Sequence, residues 1–221
     1  MVHKSLTIIT LNTPGITDFA AARNGELAKA KTPARSASST ADAGGDWVLF
    51  LDADETLSPE LEAEIASILN LEPSIYSAYS IPRLDTFLGR ELRHGEPGHT
   101  RLVRLARKDF GHWVRPVHEV WQGHGRVGQL QNPLLHRSHP TISAFLDKIN
   151  RYSTLEAEYR HSQGIKSSLF KIALYPIAKF KWNYLFKLGF LDGVPGTIMA
   201  IMMSFHSYLT WTKLYLLWHK K

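Results

Sequence analysis

Three carboxylates after one apolar run are the side chains in this sequence best suited to chemistry. Asp52 and Asp54 follow the continuous apolar run 48–51, and Glu55 adds a third acid. Such a run is typical of a strand covered on both faces in an α/β sheet, and ligands in such sheets bind beyond the carboxyl ends of the strands. Because Mg²⁺ and Mn²⁺ prefer oxygen ligands, we interpret the pair as a site for a divalent cation that carries phosphate.

Other interpretations of the same acids stay open. Structural turns and helix caps account for many Asp-x-Asp pairs. The segment 52–57 also fits the Asp-x-Asp-x-Thr opening of haloacid-dehalogenase-type phosphatases, in which the first Asp is a nucleophile and the second a general acid. That family needs a later Lys and a further acidic pair, whereas the later Asp residues here stand alone. A phosphatase is therefore the less favoured alternative.

The elements around the acids must place them at the edge of a sheet. Ser58 is predicted to cap an amphipathic helix over 59–70, so the segment is expected to form a strand, an acidic turn and a helix. Upstream, the pattern predicts a strand at Leu6–Leu11 and a helix from about Asp18 to Lys31, with Asp18 as its cap.

The rest of the chain alternates between short strands, loops and one long helix. The small, polar stretch 32–45 indicates a flexible insertion before the acidic strand. We further expect strands at 77–82 and 101–105, a Gly/Pro/His-rich loop at 94–99, and a helix at 143–163.

The composition limits the class of protein. A chain of 221 residues accommodates one domain with an extension, or two small domains. It has no cysteine, which excludes disulfides, thiolate chemistry and cysteine-bound zinc. The first apolar run is too short for a secretory signal peptide, so cytoplasmic folding is the simplest expectation.

The positive charge is concentrated in the C-terminal part. Residues 141–221 hold 11 Lys and Arg against 4 Asp and Glu, and 12 of the 24 aromatic residues lie between Phe170 and Trp218. Basic residues interleaved with aromatic ones suit nucleic acid or an anionic membrane surface. We favour the membrane surface and expect no nucleic-acid partner, because these basic residues lie in the most hydrophobic part of the chain.

The stretch 196–218 is the most hydrophobic of the sequence. It is long enough for a membrane-spanning helix but contains His206, Lys213 and several hydroxyl groups. A helical hairpin lying in the membrane interface is favoured over a spanning helix, and two core helices of a soluble domain are the third possibility. Pro176 is expected to break or kink any helix before it reaches this stretch.

Several motifs in a fixed order resemble family 2 glycosyltransferases of the lipopolysaccharide-core glucosyltransferase type. The resemblance extends from about residue 18 to the C-terminus. Its motifs are Phe-Ala-Ala-Ala-Arg-Asn at 19–24, Gly-Asp-Trp-Val-Leu-Phe-Leu-Asp-Ala-Asp-Glu at 45–55, Pro-Val-His-Glu at 116–119, Leu-His at 135–136, and Gly-Phe-Leu-Asp-Gly-Val-Pro-Gly at 189–196.

This resemblance implies a fold and a reaction. The expected fold class is α/β: a partial, GT-A-like nucleotide-sugar-binding sheet at 1–140, followed by a helical, membrane-associated extension at 141–221. The expected activity is metal-dependent, inverting transfer of a sugar from a nucleotide diphosphate to a lipid-linked or cell-envelope glycan, with Mg²⁺ or Mn²⁺ as cofactor. The expected location is the cytoplasmic face of the inner (plasma) membrane, as a peripheral or monotopic protein.

The same resemblance implies roles for the residues that contact the donor. Asp52 and Asp54 bind the ribose and the metal-bound diphosphate of the nucleotide sugar. Arg23 lies near the diphosphate and Asn24 is a candidate donor contact, although capping of a helix is the simpler explanation of Asn24. Arg101 is the candidate phosphate contact on its strand; the spacing of three places it and Arg104 on opposite faces.

Catalytic and metal roles fall on three further residues. An inverting transferase needs a carboxylate base to take the proton of the acceptor hydroxyl, and Glu119 is our candidate. His118 either orients that base, contacts phosphate or is a packed, hydrogen-bonded histidine. His136 is the candidate that completes the metal site with Asp54, and a structural histidine is the alternative.

The chain departs from the family pattern at its start. Members carry a strand, a base-contacting Asp, a helix and a further strand ahead of the Phe-Ala-Ala-Ala-Arg-Asn segment, whereas only residues 1–17 precede Asp18 here. Either Leu6–Leu11 is the family's first strand and the next unit is deleted, or it is a later strand and the true N-terminus is missing. We therefore expect an N-terminally shortened nucleotide pocket. The alternative function is an inactive, truncated relative that acts as a membrane-bound binding or assembly partner.

Overall fold

The computed structural model describes residues 6–12, 15–30, 47–70, 74–137 and 139–220. The predicted insertion at 32–45 lies outside these residues. The chain divides into two compact units, one formed by Met1–Pro82 and Arg101–Leu135 and the other by Arg83–Thr100 and His136–Lys221. The sequence predicted a boundary after residue 140, whereas the contacts place the segment Arg83–Thr100 in the second unit as well.

Strands and helices follow one another in a mixed order along the chain. The strands are β1 (Leu6–Leu11), β2 (Trp47–Asp52), β3 (Glu55–Leu57), β4 (Tyr76–Phe87), β5 (Arg90–Leu92), β6 (Arg101–Arg107), β7 (Gly111–Val114), β8 (Val120–Gly123), β9 (Arg126–Gln129) and β10 (Leu134–Arg137). The helices are α1 (Phe19–Lys29), α2 (Pro59–Asn70), α3 (Ile142–Ser162), α4 (Leu169–Lys181) and α5 (Gly193–His219). The fold class is therefore α/β with C-terminal helices.

The sheet of the first unit is built around β2. It lies between β1, which is parallel to it, and β6, which is antiparallel. On the far side of β6 follows β4, which is antiparallel to β6 and parallel to β9. Leu11 stands opposite Asp52 in the parallel pair, so the carboxyl ends of β1 and β2 meet at one edge of the sheet.

Both faces of β2 are buried, as its apolar run predicts. Val48 and Phe50 belong to a cluster that includes Ala20 and Leu27 of α1. Trp47 and Leu49 belong to a second cluster, which includes Leu61 and Ile65 of α2. Full burial of such a side chain stabilises the folded state by about 1.5–3 kcal/mol. The two helices thus hold the strand that carries Asp52 from opposite sides.

Side-chain caps define where the helices begin. Asp18 accepts a hydrogen bond from the amide of Ala21 at 2.8 Å, and Ser58 accepts one from the amide of Leu61 at 3.2 Å. Both caps were predicted from the sequence and are confirmed. Each satisfies an amide that has no partner within the first turn of the helix.

The helices of the second unit pack on one another through α5, which contacts both α3 and α4. The apolar core of the second unit includes Phe87, Phe145, Ile149 and Met199. Helix α4 runs through Pro176 and does not end there, and the regular helix gives way to a π-helical turn only at Trp182–Phe186.

No single helix in the described part of the chain is both long and apolar enough to cross a membrane. The segments Leu169–Phe186 and Gly189–His219, which are bent by 70° at their junction, meet the length and composition requirements only together.

A close backbone contact fixes the turn before α5. Gly189 and Asp192 lie in a short 3₁₀ turn, and both are buried. A Cβ atom added at Gly196 would lie 2.1 Å from the carbonyl oxygen of Gly189. Since that neighbour is backbone, it cannot rotate away as a flexible side chain could. The glycine is therefore required at position 196.

The substitution Gly196→Ala is expected to destabilise the protein by about 1–3 kcal/mol, because the added methyl group overpacks this contact. Gly25→Ala is the matched control: nothing lies within 4 Å of a Cβ there, and alanine favours the helix. Urea unfolding followed by circular dichroism measures both. Equal midpoints for the two variants would contradict the close contact.

Candidate functional site

The carboxylate of Asp52 is held between two arginines at the end of β2. Nη2 of Arg23 donates to Oδ1 at 2.6 Å, and Nη2 of Arg104 donates to Oδ2 at 2.6 Å. Bonds between ionised partners are shorter and stronger than those between neutral groups. Each oxygen of Asp52 therefore receives one guanidinium, and the carboxylate has a fixed orientation.

Both arginines are themselves rigidly placed. Arg23 lies on α1 with no exposed surface; its Nε donates to Glu119 at 2.9 Å, and its guanidinium stacks on the Trp113 ring at 4.9 Å. Arg104 is buried within β6 and donates to Glu55 at 2.9 Å. Arg23 and Arg104 thus join the carboxylates of Asp52, Glu55 and Glu119 in one connected network.

The acidic turn is closed by Glu55. Its second oxygen accepts a hydrogen bond from the backbone amide of Asp52 at 2.9 Å, while its first oxygen accepts from Arg104. Glu55 is buried, so it anchors the turn and does not face solvent. Asp54 lies in the turn between Asp52 and Glu55, and its side chain is half-buried.

The arginines set the charge state of Asp52. Burial alone would raise the pKa of this carboxyl group, but the charges of Arg104 and Arg23 lower it by more, against a smaller opposing effect of Asp54. Burial likewise disfavours charged Arg104, yet Asp52 and Glu55 raise its pKa overall. Asp52 and Arg104 are therefore both ionised at neutral pH.

The two arginines weaken the case for a metal ion bound by the acidic turn alone. The negative charges of Asp52 and Glu55, which a bound cation could offset, are already paired with Arg23 and Arg104. Among the described residues, no three His, Asp or Glu side chains form a metal-binding group. Mg²⁺ commonly binds through one or two carboxylates plus substrate phosphates, and Asp54 fits that kind of site. Metal dependence stays a prediction.

The structure brings Arg23 and Glu119 to Asp52, and it shows that Asn24 does not cap the helix. The side chain of Asn24 donates to the carbonyl of Trp113 and accepts from its amide, both at 2.8 Å. Asn24 therefore ties α1 to β7, and Asp18, not Asn24, caps the helix. Its predicted contact with the donor remains a prediction.

The pairing of β6 with β4 is irregular at Arg104, because Val103 pairs with Ser80 and Leu105 with Tyr79, so the placement of Arg101 and Arg104 on opposite faces stays a prediction. Arg101 donates to the carbonyl oxygens of Leu130 at 2.6 Å and Ser80 at 3.3 Å. Arg104 is the arginine at the acidic turn, a position that sequence analysis did not assign to it. The available signal was a single Arg within the apolar stretch 102–106, because a buried cation requires an acidic partner.

The two histidines occupy different surroundings. His118 is exposed and has a positive φ of 51°, next to Glu119 in the turn before β8. His136 belongs to the second unit, where its Nδ1 is hydrogen-bonded to Asp85, which is also paired with Arg83. Burial would raise the pKa of Asp85, but His136 and Arg83 lower it. The metal role of His136 and the catalytic role of His118 stay predictions.

Comparison with known proteins gives related sequences. No family model matches the chain. Over 180 residues it is 28% identical to an uncharacterized glycosyltransferase of Rickettsia typhi, covering 76% of this chain and 62% of that protein. It is 29% identical to another from Rickettsia conorii, covering 76% and 64%. It is 26% identical over 172 residues to the lipopolysaccharide core biosynthesis glycosyltransferase LpsC of Rhizobium meliloti, covering 76% and 63%.

The chain therefore spans less than two thirds of the length of each of these relatives.

Removal of the Arg104 charge should be strongly destabilising. Arg104→Met leaves the carboxylates of Asp52 and Glu55 without a cation they share, and loss of one partner of a buried pair costs about 3–5 kcal/mol. Arg101→Met on the same strand is the control, with an expected loss of about 1 kcal/mol. Chemical denaturation measures both, and adding Glu55→Gln to Arg104→Met should restore part of the loss. Similar losses for Arg101→Met and Arg104→Met would refute the network.

Acid should weaken the protein through Asp52. Because the pKa of Asp52 is lower in the folded state than in the unfolded chain, its contribution is present above the unfolded value near pH 4 and is lost as the pH falls through the folded value. We expect the free energy of unfolding to fall less steeply with decreasing pH in Asp52→Asn than in the wild type. Exposed Asp109→Asn should follow the wild-type curve. An unchanged slope in Asp52→Asn would show that Asp52 is not ion-paired.

Proposed function

We propose that this chain, which is related in sequence to curated glycosyltransferases, transfers a sugar from a nucleoside diphosphate donor to a glycan acceptor. Its relationship to these proteins supports the reaction class. The observation that carries the assignment to particular residues is the Asp52 carboxylate, fixed by Arg23 and Arg104 at the carboxyl end of β2. That is the edge where α/β sheets bind their ligands.

Asp52 binds the donor through its exposed edge. The side chain is 32% exposed, although both oxygens are paired. A carboxylate offers about four lone pairs and uses two of them here, so hydroxyl groups of the donor ribose find acceptors of fixed orientation. Because the arginines are already in place, little ordering is required when the donor binds.

The leaving diphosphate requires positive charge. Arg23 has no exposed surface, so its charge acts on the diphosphate without direct contact. Asp54 is the residue that would hold Mg²⁺ or Mn²⁺, and such a cation supplies charge that stabilises the departing diphosphate. Positive charge aimed at a developing anion lowers the barrier to reaction.

Glu119 is the base in this scheme. Its side chain is 15% exposed, and one oxygen accepts from Arg23, which also holds Asp52. The acceptor hydroxyl oxygen forms a bond to the anomeric carbon while the bond to the diphosphate breaks. The leaving diphosphate keeps the electron pair, and Glu119 takes the hydroxyl proton. A single displacement of this kind inverts the anomeric configuration.

The acceptor we propose is a lipid-linked or cell-envelope glycan. This rests on the name of one relative, a glycosyltransferase of lipopolysaccharide core biosynthesis. The phosphatase alternative loses support, because both oxygens of Asp52 are bonded to arginines. A carboxylate engaged in this way is a weaker nucleophile than the phosphatase mechanism needs.

Release of nucleoside diphosphate from a panel of sugar nucleotides, with Mn²⁺ present, tests the proposal. Asp54→Asn is expected to lower turnover by about 10²–10³-fold, the size typical for loss of one charge-stabilising group. Asp109→Asn, at an exposed site of the same unit, should retain wild-type turnover. Wild-type turnover in Asp54→Asn would contradict the assignment, and an inactive wild-type chain would favour the binding-partner alternative.

Glu119→Gln tests whether Glu119 acts as the base or only supports binding of the donor. The amide cannot accept the proton, so transfer to the acceptor should fall by about 10²–10⁴-fold while the donor Kd changes little. Transfer rates and equilibrium donor binding, measured on the same preparation, give the two values. An equal loss of binding and transfer would mean that Glu119 serves only to hold Arg23.

A further inference from the structure

Helix α4 exposes apolar side chains where a water-facing helix carries polar ones. Its inner side packs on α5, where Ser204 donates to the carbonyl of Pro176 at 2.8 Å. On its exposed side, Phe170, Leu174 and Ile177 follow one another at helical spacing, and Ile177 is 52% exposed. The exposed side of the helix is therefore largely apolar.

The exposed apolar surface continues past the end of α4. It passes through the π-helical turn and the 3₁₀ turn as far as the first residues of α5. Phe186, in the π-helical turn, is 71% exposed. We call the following exposed residues the apolar edge: Phe170, Leu174, Ile177, Trp182, Leu185, Phe186, Leu188, Phe190, Leu191 and Val194. Solitary exposed apolar residues are ordinary, but ten of them within one segment of 25 residues indicate a binding surface.

Positive charge accompanies the apolar edge. Lys166, Lys171, Lys179, Lys181 and Lys187 lie within or just before it, and the sequence has no acidic residue between Glu158 and Asp192.

The acid at position 192 does not neutralise these lysines. Asp192 is buried and accepts from the backbone amide of His94 at 2.8 Å and from its ring at 2.7 Å. Lys179 is paired with Glu96 at 2.8 Å, whereas Lys166 and Lys181 are both exposed. The surface around the apolar edge is therefore basic.

We propose that the apolar edge lies in the interfacial region of an anionic phospholipid bilayer, with α4 in the membrane plane and the surrounding lysines at the lipid phosphates. Trp and Phe side chains favour that depth, and long lysine side chains reach the phosphates while their methylene groups stay apolar. The proposal uses residues of the second unit only and does not depend on the transferase reaction.

Charge favours lipid over a second copy of the chain as the occupant. In a two-fold dimer the same patch packs against its own copy, so the exposed Lys166 and Lys181 would face a surface that is likewise basic. Like charges across an interface are costly. Anionic lipid headgroups neutralise the same lysines, and each contributes attraction near the surface.

Co-sedimentation of the full chain with vesicles tests this proposal. We expect binding to vesicles that contain phosphatidylglycerol, and weaker binding to phosphatidylcholine alone. Ile177→Ser and Phe186→Ser should each weaken binding by about tenfold or more, because each removes an apolar side chain from the bilayer. Ile8→Ser is the matched control, since Ile8 is 53% exposed on β1 of the first unit. Circular dichroism verifies that every variant is folded.

A second arm tests the lysines. Lys166→Gln and Lys181→Gln should each weaken binding to phosphatidylglycerol vesicles by about fivefold and reduce its sensitivity to salt, with little effect on binding to phosphatidylcholine. Asp54→Asn should bind vesicles like the wild type, which keeps this test separate from that of the transferase.

Two results would overturn the membrane proposal. One is wild-type protein that stays in the supernatant with both kinds of vesicle. The other is a dimer by size-exclusion chromatography that Ile177→Ser or Phe186→Ser dissociates while vesicle binding is unchanged, because the apolar edge would then be covered by a second copy. Because Trp182 lies in the apolar edge, we expect brominated lipids to quench its fluorescence, measured as the difference between the wild type and Trp182→Phe.

Discussion

The ion pairs of Asp52 with Arg23 and Arg104 determine how the first unit is arranged. Buried charges are costly unless they are paired and hydrogen-bonded, so α1, β2 and β6 must bring these groups within about 3 Å of one another. Glu55 and Glu119 complete the set, each bonded to one of the arginines. Buried ion pairs are weak contributors to net stability but are costly to break. At the carboxyl end of β2 these pairs give the Asp52 carboxylate a fixed orientation.

That constraint also shapes the proposed chemistry. The arginines hold Asp52 ionised and oriented before any donor arrives, and Arg23 connects it to Glu119. The donor contact and the base of the proposed reaction therefore share one cation, and a change in Arg23 disturbs both. We propose that Asp54, in the turn between Asp52 and Glu55, holds the metal ion that binds the diphosphate.

Local patterns predicted much of the fold. The apolar run before Asp52 predicted a strand buried on both faces, and Asp18 and Ser58 predicted helix starts, because these signals reside in neighbouring residues. The partner of Arg104 could not be predicted, since the pair with Asp52 joins residues 52 apart in the chain. Arg23 and Glu119 were named only through resemblance to a family. The assignment of Arg83–Thr100 to the second unit also depends on long-range contacts, which periodicity does not reveal.

Binding of a nucleoside diphosphate to the full chain tests the central claim most directly. In isothermal titration with several nucleoside diphosphates, with and without Mn²⁺, we predict that at least one binds and that Mn²⁺ strengthens its binding. Binding should weaken in Asp52→Asn, because the fixed carboxylate at the end of β2 is lost. The absence of binding by every nucleoside diphosphate, with Mn²⁺ present, would contradict a sugar-nucleotide site at Asp52.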